Sequence, residues 1–259
     1  MMSEGILYEK SGGIAQITLN RPEKMNAMIP SMTDRLEELS VEIQQDDEVG
    51  VLIVTGAGDQ AFCAGGDLAD SVPLVAEKGL AAVLKEPRRR FFAEVTKPIV
   101  AAINGICVAG GLELVLGADI RIAADSAVFG VPEVKWGLFP AGGGSVRLPR
   151  QIPWVRAMEL LLIGGTMTAQ EALAAGLLNR VVPQAEVMAT ARTFAEKIVR
   201  NGPVAARKIK ESALRTHTLD WPDAFQAEYD LAADVFKTRD AREGLAAFAE
   251  KRKPVFTGR

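Results

Sequence analysis

The chain has 259 residues, of which 48% are hydrophobic and 24% are charged. This length and composition allow a full-sized hydrophobic core and exclude a disordered or fibrous protein. The net charge of −3 argues against a general nucleic-acid-binding protein, because such proteins normally carry a strong excess of basic residues.

Strand and helix patterns alternate in the first half of the chain. Residues 6–22 alternate apolar and polar side chains on either side of a Ser-Gly-Gly sequence, which predicts a β-hairpin. Residues 31–48 have the spacing of an amphipathic helix, with Ser31 as the candidate N-cap. Two apolar runs that each end in glycine predict buried strands at 49–56 and 98–105.

The second half of the chain begins with two short strand-like segments, 119–124 and 127–130. From Pro153 onward the pattern is mostly helical. The only histidine, His217, lies between two of these predicted helices, and we expect it at the surface. A catalytic triad of the Ser-His type is therefore disfavoured.

Several short patterns that could indicate a cofactor or a metal are rejected. Residues 56–61 match GxGxxA, but a second glycine turn follows where the dinucleotide motif requires a helix. Residues 142–145 lack the lysine of a phosphate loop, and the charge run 88–90 is more typical of a solvated helix face. Cys63 and Cys107 lack the CxxC spacing of a zinc site. We therefore expect neither a cofactor nor a metal.

The sequence also bears on the compartment. It does not begin with a basic segment followed by an apolar core, and no apolar run approaches the roughly 20 residues that a membrane span requires. The two cysteines form no disulfide framework, which fits a reducing environment. We expect a cytoplasmic protein with no membrane partner and no nucleic-acid partner.

Two glycine turns, at 64–67 and 109–111, each follow a predicted strand and precede a helix. Glycine lets a ligand approach the backbone closely, and N–H groups at the mouth of a helix carry a positive partial charge. Two such turns that face one another would stabilise a developing oxyanion. Taken singly, each turn is better explained by close packing, and a nearby acid is what favours the functional interpretation.

Two glutamates supply that acid. Glu113 lies three residues after Gly110, on the same helix face and among apolar neighbours. Burial with a functional role and exposure on a half-buried helix fit this residue equally well. Glu133 is likewise bracketed by apolar residues. If both glutamates line one cavity, desolvation and mutual repulsion raise the pKa of at least one, which leaves a proton donor and a proton acceptor at neutral pH.

The whole sequence resembles the enoyl-CoA hydratase/isomerase, or crotonase, superfamily. The resemblance rests on the order and spacing of strings that span most of the chain. These strings are NRPEKMNAM (20–28), AFCAGGDL (61–68), KPIVAAINGICVAGGLELVLGADIRIA (97–123), FGVPEVKWGLFPAGGGSVRLPR (129–150), TAQEALAAGLLNRVVP (168–183) and AFAEKRKPVF (247–256).

This resemblance implies an α/β fold, the crotonase spiral of repeated strand–strand–helix units, over residues 1–195. It implies a helical C-terminal trimerisation region over residues 196–259. The assembly would be a homotrimer or a dimer of trimers.

The resemblance also implies reversible hydration of a trans-2-enoyl-CoA, with no cofactor beyond the CoA of the substrate. The backbone N–H groups of Gly66 and Gly110 would be the oxyanion donors. Glu113 and Glu133 would be the catalytic pair, one activating water for attack at C3 and the other delivering a proton to C2. The further positions that would contact the acyl-CoA are Lys24, Met25, Ala27, Ala64, Gly65, Asp67 and Leu68.

Other substrate contacts implied by the resemblance lie later in the chain. Phe248 and Lys251 belong to a tail that can approach CoA from a neighbouring subunit. Ala141 departs from the family pattern, since many hydratases have a glycine there whose N–H helps to hold the water, and its methyl group could narrow the pocket. Trp136 could border the acyl cavity, although a core position fits it equally well. Residues 69–95 look least like the family and are expected to shape the acyl site.

Two alternatives to hydration stay open. The first is double-bond isomerisation of an enoyl-CoA, which needs proton transfer between C2 and C4 but no water, or another acyl-CoA lyase reaction of the crotonase type. The retention of both glutamates favours hydration over these reactions. A non-catalytic acyl-CoA binder or an RNA-binding protein is disfavoured by the acidic charge balance and by the cost of burying two glutamates.

Overall fold

The computed structural model describes residues 5–83, 85 and 90–259. Within these residues two β-sheets are formed, one of six strands and one of four. The strands are β1 (Ile6–Ser11), β2 (Ile14–Leu19), β3 (Val51–Gly56), β4 (Ala61–Cys63), β5 (Ile99–Ile103), β6 (Ile106–Val108), β7 (Ile120–Ala124), β8 (Val128–Gly130), β9 (Thr166–Thr168) and β10 (Arg180–Val182).

The helices of the described residues surround the two sheets. They are α1 (Pro30–Gln45), α2 (Leu68–Lys78), α3 (Gly110–Val115), α4 (Gly144–Gln151), α5 (Trp154–Ile163), α6 (Ala169–Ala174), α7 (Val187–Val199), α8 (Pro203–Thr216), α9 (Trp221–Phe236) and α10 (Arg239–Ala249). No helix in these parts of the chain is both long and apolar enough to cross a membrane.

From β3 to β8, successive strands of the chain alternate between the two sheets. The large sheet has the order β1-β2-β3-β5-β7-β10, and the small sheet has the order β4-β6-β8-β9. After the antiparallel hairpin β1–β2, the strands of the large sheet pair in parallel. The units β3–β4–α2 and β5–β6–α3 therefore each add one strand to each sheet before a helix follows. This repeat is the predicted strand–strand–helix spiral, and the α/β fold class is confirmed.

The core lies on both faces of the large sheet. Every residue of β3 and β5 is buried, as expected for central parallel strands covered on two sides. The apolar stripe of α1, which includes Leu36, Leu39 and Ile43, is almost completely buried, and α7 packs against β3 and β5. Burial of these apolar side chains stabilises the large sheet through the hydrophobic effect.

The start of α1 differs from the sequence prediction. Ile29, and not Ser31, is the N-cap residue, and it makes no side-chain capping bond. The prediction failed because Pro30 occupies the first helical position, where its fixed φ suits the helix and its missing N–H costs nothing. Ser31 is the second residue of the helix.

The region after Pro153 is less uniformly helical than predicted, because it contains β9 and β10. Each has three residues, too few to show an alternating pattern in the sequence. His217 follows α8 and is exposed, as expected.

Helices α8, α9 and α10 form the helical C-terminal region. The Nζ of Lys210 on α8 lies 2.8 Å from the Asp119 carboxylate and donates a hydrogen bond of 3.0 Å to the Lys97 carbonyl, which fastens this region to the sheet. The boundary between residues 195 and 196 stays a prediction.

Candidate active site

The two glycine turns lie side by side because β4 and β6 are parallel neighbours in the small sheet. Parallel strands end at the same edge, so the turns that follow them emerge together. A methyl group built onto Gly110 would lie 3.6 Å from the backbone nitrogen of Gly66. As the first residue of α3, Gly110 has an N–H without a partner inside the helix. The two proposed donor residues are therefore neighbours in space, and their joint binding of one oxygen atom stays a prediction.

The backbone of the second turn is strained at Ala109, which has φ = 50°. A non-glycine residue in this region costs on the order of 1–3 kcal/mol and persists only where its surroundings enforce it. The Ala109 N–H donates to the carbonyl of Gly130 at 2.9 Å, which holds the turn in place. This conformation lets α3 begin directly at Gly110.

A loop that carries several of the predicted substrate contacts runs along the first turn. The Ala64 N–H donates to the Met25 carbonyl at 3.0 Å, and the Met28 N–H donates to the Gly65 carbonyl at 2.7 Å. The N–H of Gly66 takes no part in this pairing, since the next bond runs from the Asp67 N–H to Met28 at 2.8 Å. The structure therefore brings the predicted contacts of residues 24–28 and 64–68 together; within these segments Lys24, Met25 and Leu68 are exposed, Ala27 and Ala64 are half-buried and Gly65 is buried.

Arg21, which sequence reasoning did not single out, ties this loop to the turn. Its Nη1 donates to the Ala27 carbonyl at 2.7 Å and to Oδ2 of Asp67 at 3.0 Å. The other carboxylate oxygen of Asp67 accepts the N–H of Ala69 and caps α2. Burial is the largest single influence and acts to raise the pKa of Asp67, but the hydrogen bonds from Arg21 and the Ala69 N–H and the nearby positive charges together lower that pKa. Both carboxylate oxygens of Asp67 therefore already have protein partners. Substrate contact by Asp67 stays a prediction.

Glu113 is buried, with only 4% of its surface exposed, so the exposed-stripe alternative is wrong. Its Oε1 accepts a hydrogen bond of 2.8 Å from the Gly144 N–H. Glycine at position 142 leaves room for this carboxyl group, because a methyl group built onto Gly142 would lie 2.9 Å from the Glu113 Cδ and would force a side chain to shift. The triple glycine was the available signal for this contact, but its partner lies 31 positions away and could not be identified from the sequence.

Burial is the main cause that raises the pKa of Glu113 to about 7, and the neighbouring Glu133 carboxylate adds to the rise. The hydrogen bond from Gly144 opposes it. Burial also raises the pKa of Glu133. Its Oε2 is buried and accepts no hydrogen bond from the described residues. The charge of Glu133 thus acts on the pKa of Glu113, and a pKa of about 7 lets Glu113 exchange protons near neutral pH.

Replacing Glu113 by glutamine is expected to stabilise the folded protein at high pH. A carboxyl group whose pKa rises from 4.5 in the unfolded chain to about 7 in the folded protein destabilises the fold as pH increases through this window. Using 1.36 kcal/mol per pKa unit, the penalty is less than about 1 kcal/mol at pH 5 and about 3 kcal/mol at pH 8. Urea unfolding of both proteins at the two pH values measures it. An unchanged difference between pH 5 and pH 8 would contradict the raised pKa.

The remaining predicted contacts are placed as follows. Ala141 is half-buried at the start of the glycine-rich turn, where its carbonyl accepts the Arg90 Nε at 2.7 Å. Trp136 is 72% exposed, so a core position is excluded, whereas a role at the acyl cavity stays a prediction. Phe248 and Lys251 are exposed near the end of α10. Their contact with CoA across a subunit interface is likewise untested.

The interpretation of residues 88–90 as a solvated helix face is wrong for Arg90. This residue lies outside any helix, is half-buried and bonds to Ala141. Arg88 and Arg89 lie outside the described residues.

The double-sheet spiral thus carries two neighbouring glycine turns and two glutamates with raised pKa values, an arrangement that suits an enzyme which stabilises an oxyanion and transfers protons. The family model described as Enoyl-CoA hydratase/isomerase matches residues 9–259. The chain belongs to this family. The sequence resemblance is thereby confirmed.

Similarity to individual members extends over the full chain. The enoyl-CoA hydratase EchA19 of Mycobacterium tuberculosis is 38% identical, over 98% of this chain and 96% of the relative. The short-chain-enoyl-CoA hydratase of Clostridium acetobutylicum is 36% identical, over 98% and 97%. The crystal structure of an enoyl-CoA hydratase from Bacillus anthracis has a TM-score of 0.93 and 37% identity, and covers 99% of this chain and 100% of that one.

Proposed function

We propose that the protein is an enoyl-CoA hydratase, which reversibly adds water to a trans-2-enoyl-CoA to give a 3-hydroxyacyl-CoA. The observation that carries this proposal is the pair of Glu113, which is buried and has a pKa of about 7, and Glu133, whose buried Oε2 accepts no hydrogen bond from the described residues. Full-length relatives named as enoyl-CoA hydratases bear out this activity. Both carboxyl groups are needed because hydration takes a proton from water and adds a proton to carbon.

The thioester oxygen of the substrate accepts hydrogen bonds from the N–H groups of Gly66 and Gly110. As the water oxygen bonds to C3, the C2–C3 double-bond electrons move into the thioester, and negative charge collects on that oxygen. The backbone donors stabilise this charge without reorganising. One glutamate takes a proton from the water while the other gives a proton to C2, so the pair ends with its total proton count unchanged.

This chemistry needs no cofactor, because the thioester itself conjugates with the double bond and accepts the charge. The acyl-CoA is the partner that the site is proposed to bind, with Lys24, Met25 and Leu68 as exposed contacts. Assembly as a homotrimer or a dimer of trimers and a cytoplasmic location stay predictions.

The first experiment is to mix the purified protein with crotonyl-CoA and longer 2-enoyl-CoAs. Loss of the conjugated chromophore reports turnover, and mass spectrometry reports the product. We expect a mass increase of one water. Turnover without added mass would instead identify a double-bond isomerase, and the absence of turnover on every chain length would contradict the proposed reaction.

A further inference from the structure

A cavity of about 450 Å³ lies between α1 and residues 90–95. Its volume falls in the range of roughly 300–1,000 Å³ that is typical of small-molecule sites. Neither Glu113 nor Glu133 lines it. The cavity is therefore separate from the proposed reaction centre, and what separates them decides whether a substrate can use it.

Phe91 lies between the cavity and the proposed reaction centre. This residue lines the cavity and is half-buried. A methyl group built onto Gly142 would lie 2.9 Å from the Phe91 Cε2 and also 2.9 Å from the Glu113 Cδ. One edge of the ring therefore borders the buried carboxyl group while the residue also forms part of the cavity wall.

The backbone around Phe91 is anchored on the side of the reaction centre. Nη1 of Arg147 on α4 donates to the Phe91 carbonyl at 3.1 Å, and Nη2 donates to the Arg90 carbonyl at 3.1 Å. Arg90 in turn bonds to the Ala141 carbonyl. These bonds hold the backbone of residues 90 and 91 in place. The Phe91 ring therefore has a fixed starting point between the reaction centre and the cavity.

The far side of the cavity is formed by one face of α1. Residues spaced by three or four positions line it, as expected for one helix face. Val41 on this face is 47% exposed and supplies apolar surface, and the almost completely buried Leu36, Phe92 and Val95 also line the cavity. Such surface suits the hydrocarbon end of an acyl chain.

We propose that Phe91 sets the acyl-chain length of the substrate by closing the reaction centre off from the cavity beside α1. The protein as it stands takes acyl chains that end before the ring, and a smaller side chain at position 91 admits longer chains into the cavity. The inference rests on the proposed hydratase function, since it assigns the acyl end of that same substrate.

Binding of saturated thioesters tests the inference without any reaction. Titration calorimetry with butanoyl-CoA and decanoyl-CoA gives the ratio of the two affinities. Each additional buried methylene strengthens binding by about fourfold, so two of them suffice for a tenfold change. Phe91→Ala is expected to shift the ratio at least tenfold toward decanoyl-CoA and to leave butanoyl-CoA binding little changed. Phe91→Val provides a second shortened side chain if the alanine variant does not fold.

Two controls identify the cavity as the space that is gained. Phe91→Leu keeps most of the side-chain volume and should shift the ratio less than Phe91→Ala. Ser40→Phe fills the cavity from α1, so the double variant with Phe91→Ala should return to the original ratio, whereas Ser40→Phe alone should not affect binding. An unchanged ratio in the shortened variants, a gain that survives Ser40→Phe, or weaker decanoyl-CoA binding in Ser40→Phe alone would each overturn the inference.

Rates on crotonyl-CoA and trans-2-decenoyl-CoA separate the two proposals. Hydration with the same chain-length profile in the original protein and Phe91→Ala would refute the role of Phe91 and leave the hydratase function standing. A shifted affinity ratio without water addition by any variant would refute the hydratase function and leave the acyl boundary standing.

Discussion

Glu133→Gln is expected to lower kcat by a factor on the order of 10² or more, as is typical when an acid or base in the transition state is lost. The amide has nearly the shape of the carboxyl group, but it neither accepts nor delivers a proton. Because the buried Oε2 has no partner in the described residues, the change breaks no hydrogen bond made by that atom. Initial rates with crotonyl-CoA at pH 7 measure the effect.

Glu113→Gln is expected to lower kcat by a similar factor while it stabilises the fold at pH 8. The amide oxygen of the glutamine can still accept a hydrogen bond from the Gly144 N–H, so the side chain is expected to keep its position. Glu9→Gln provides the matched control, because the same substitution falls on a side chain that is 68% exposed. Near-original rates in Glu133→Gln or Glu113→Gln would remove that residue from the proposed pair.

Gly66→Pro should lower kcat by a factor on the order of 10²–10³, because it removes one proposed oxyanion donor outright. This corresponds to a loss of about 3–4 kcal/mol of transition-state stabilisation. The measurement is kcat with crotonyl-CoA, supported by a circular dichroism spectrum to show that the variant is folded.

The neighbouring space supplies a matched control for that prediction. A methyl group on Gly66 would meet only the Oγ of Ser71, at 3.8 Å, which is an ordinary contact. Gly66→Ala therefore keeps the N–H and should retain most of the activity. Equal loss in the alanine and proline variants would show that side-chain space, and not the donor, matters at this position.

The parts of the fold that could be predicted are those with long, uniform patterns. Strands β3 and β5 are buried on both faces, so they appear as continuous apolar runs. Strands β4 and β6 carry the two site turns, yet each has three residues, and nothing in so short a segment distinguishes a strand from a loop. Their pairing is a long-range contact that no local pattern encodes.

The candidate site was predictable in its residue types but not in its contacts. Glu113 stood out because a carboxylate among apolar helix residues needs an explanation. Its hydrogen bond comes from Gly144, which lies 31 positions away in the chain. Elsewhere in the candidate site, Arg21 bonds to Asp67 and Arg147 bonds to the Phe91 carbonyl, and these partners are also distant in sequence. The roles assigned to the individual site residues remain predictions for the variants above.

The pairing of β4 with β6 bears on how the substrate specificity of this fold can change. Cys63 on β4 lies opposite Cys107 on β6 in the sheet register. The two turns are therefore held by strands that are adjacent in space, although a long segment separates them in sequence. If the proposed roles hold, substitutions in the intervening segment, which includes α2 and Phe91, are expected to change which acyl groups bind without moving the proposed backbone donors. Substrate specificity could then diverge within this fold while the geometry of the reaction is kept.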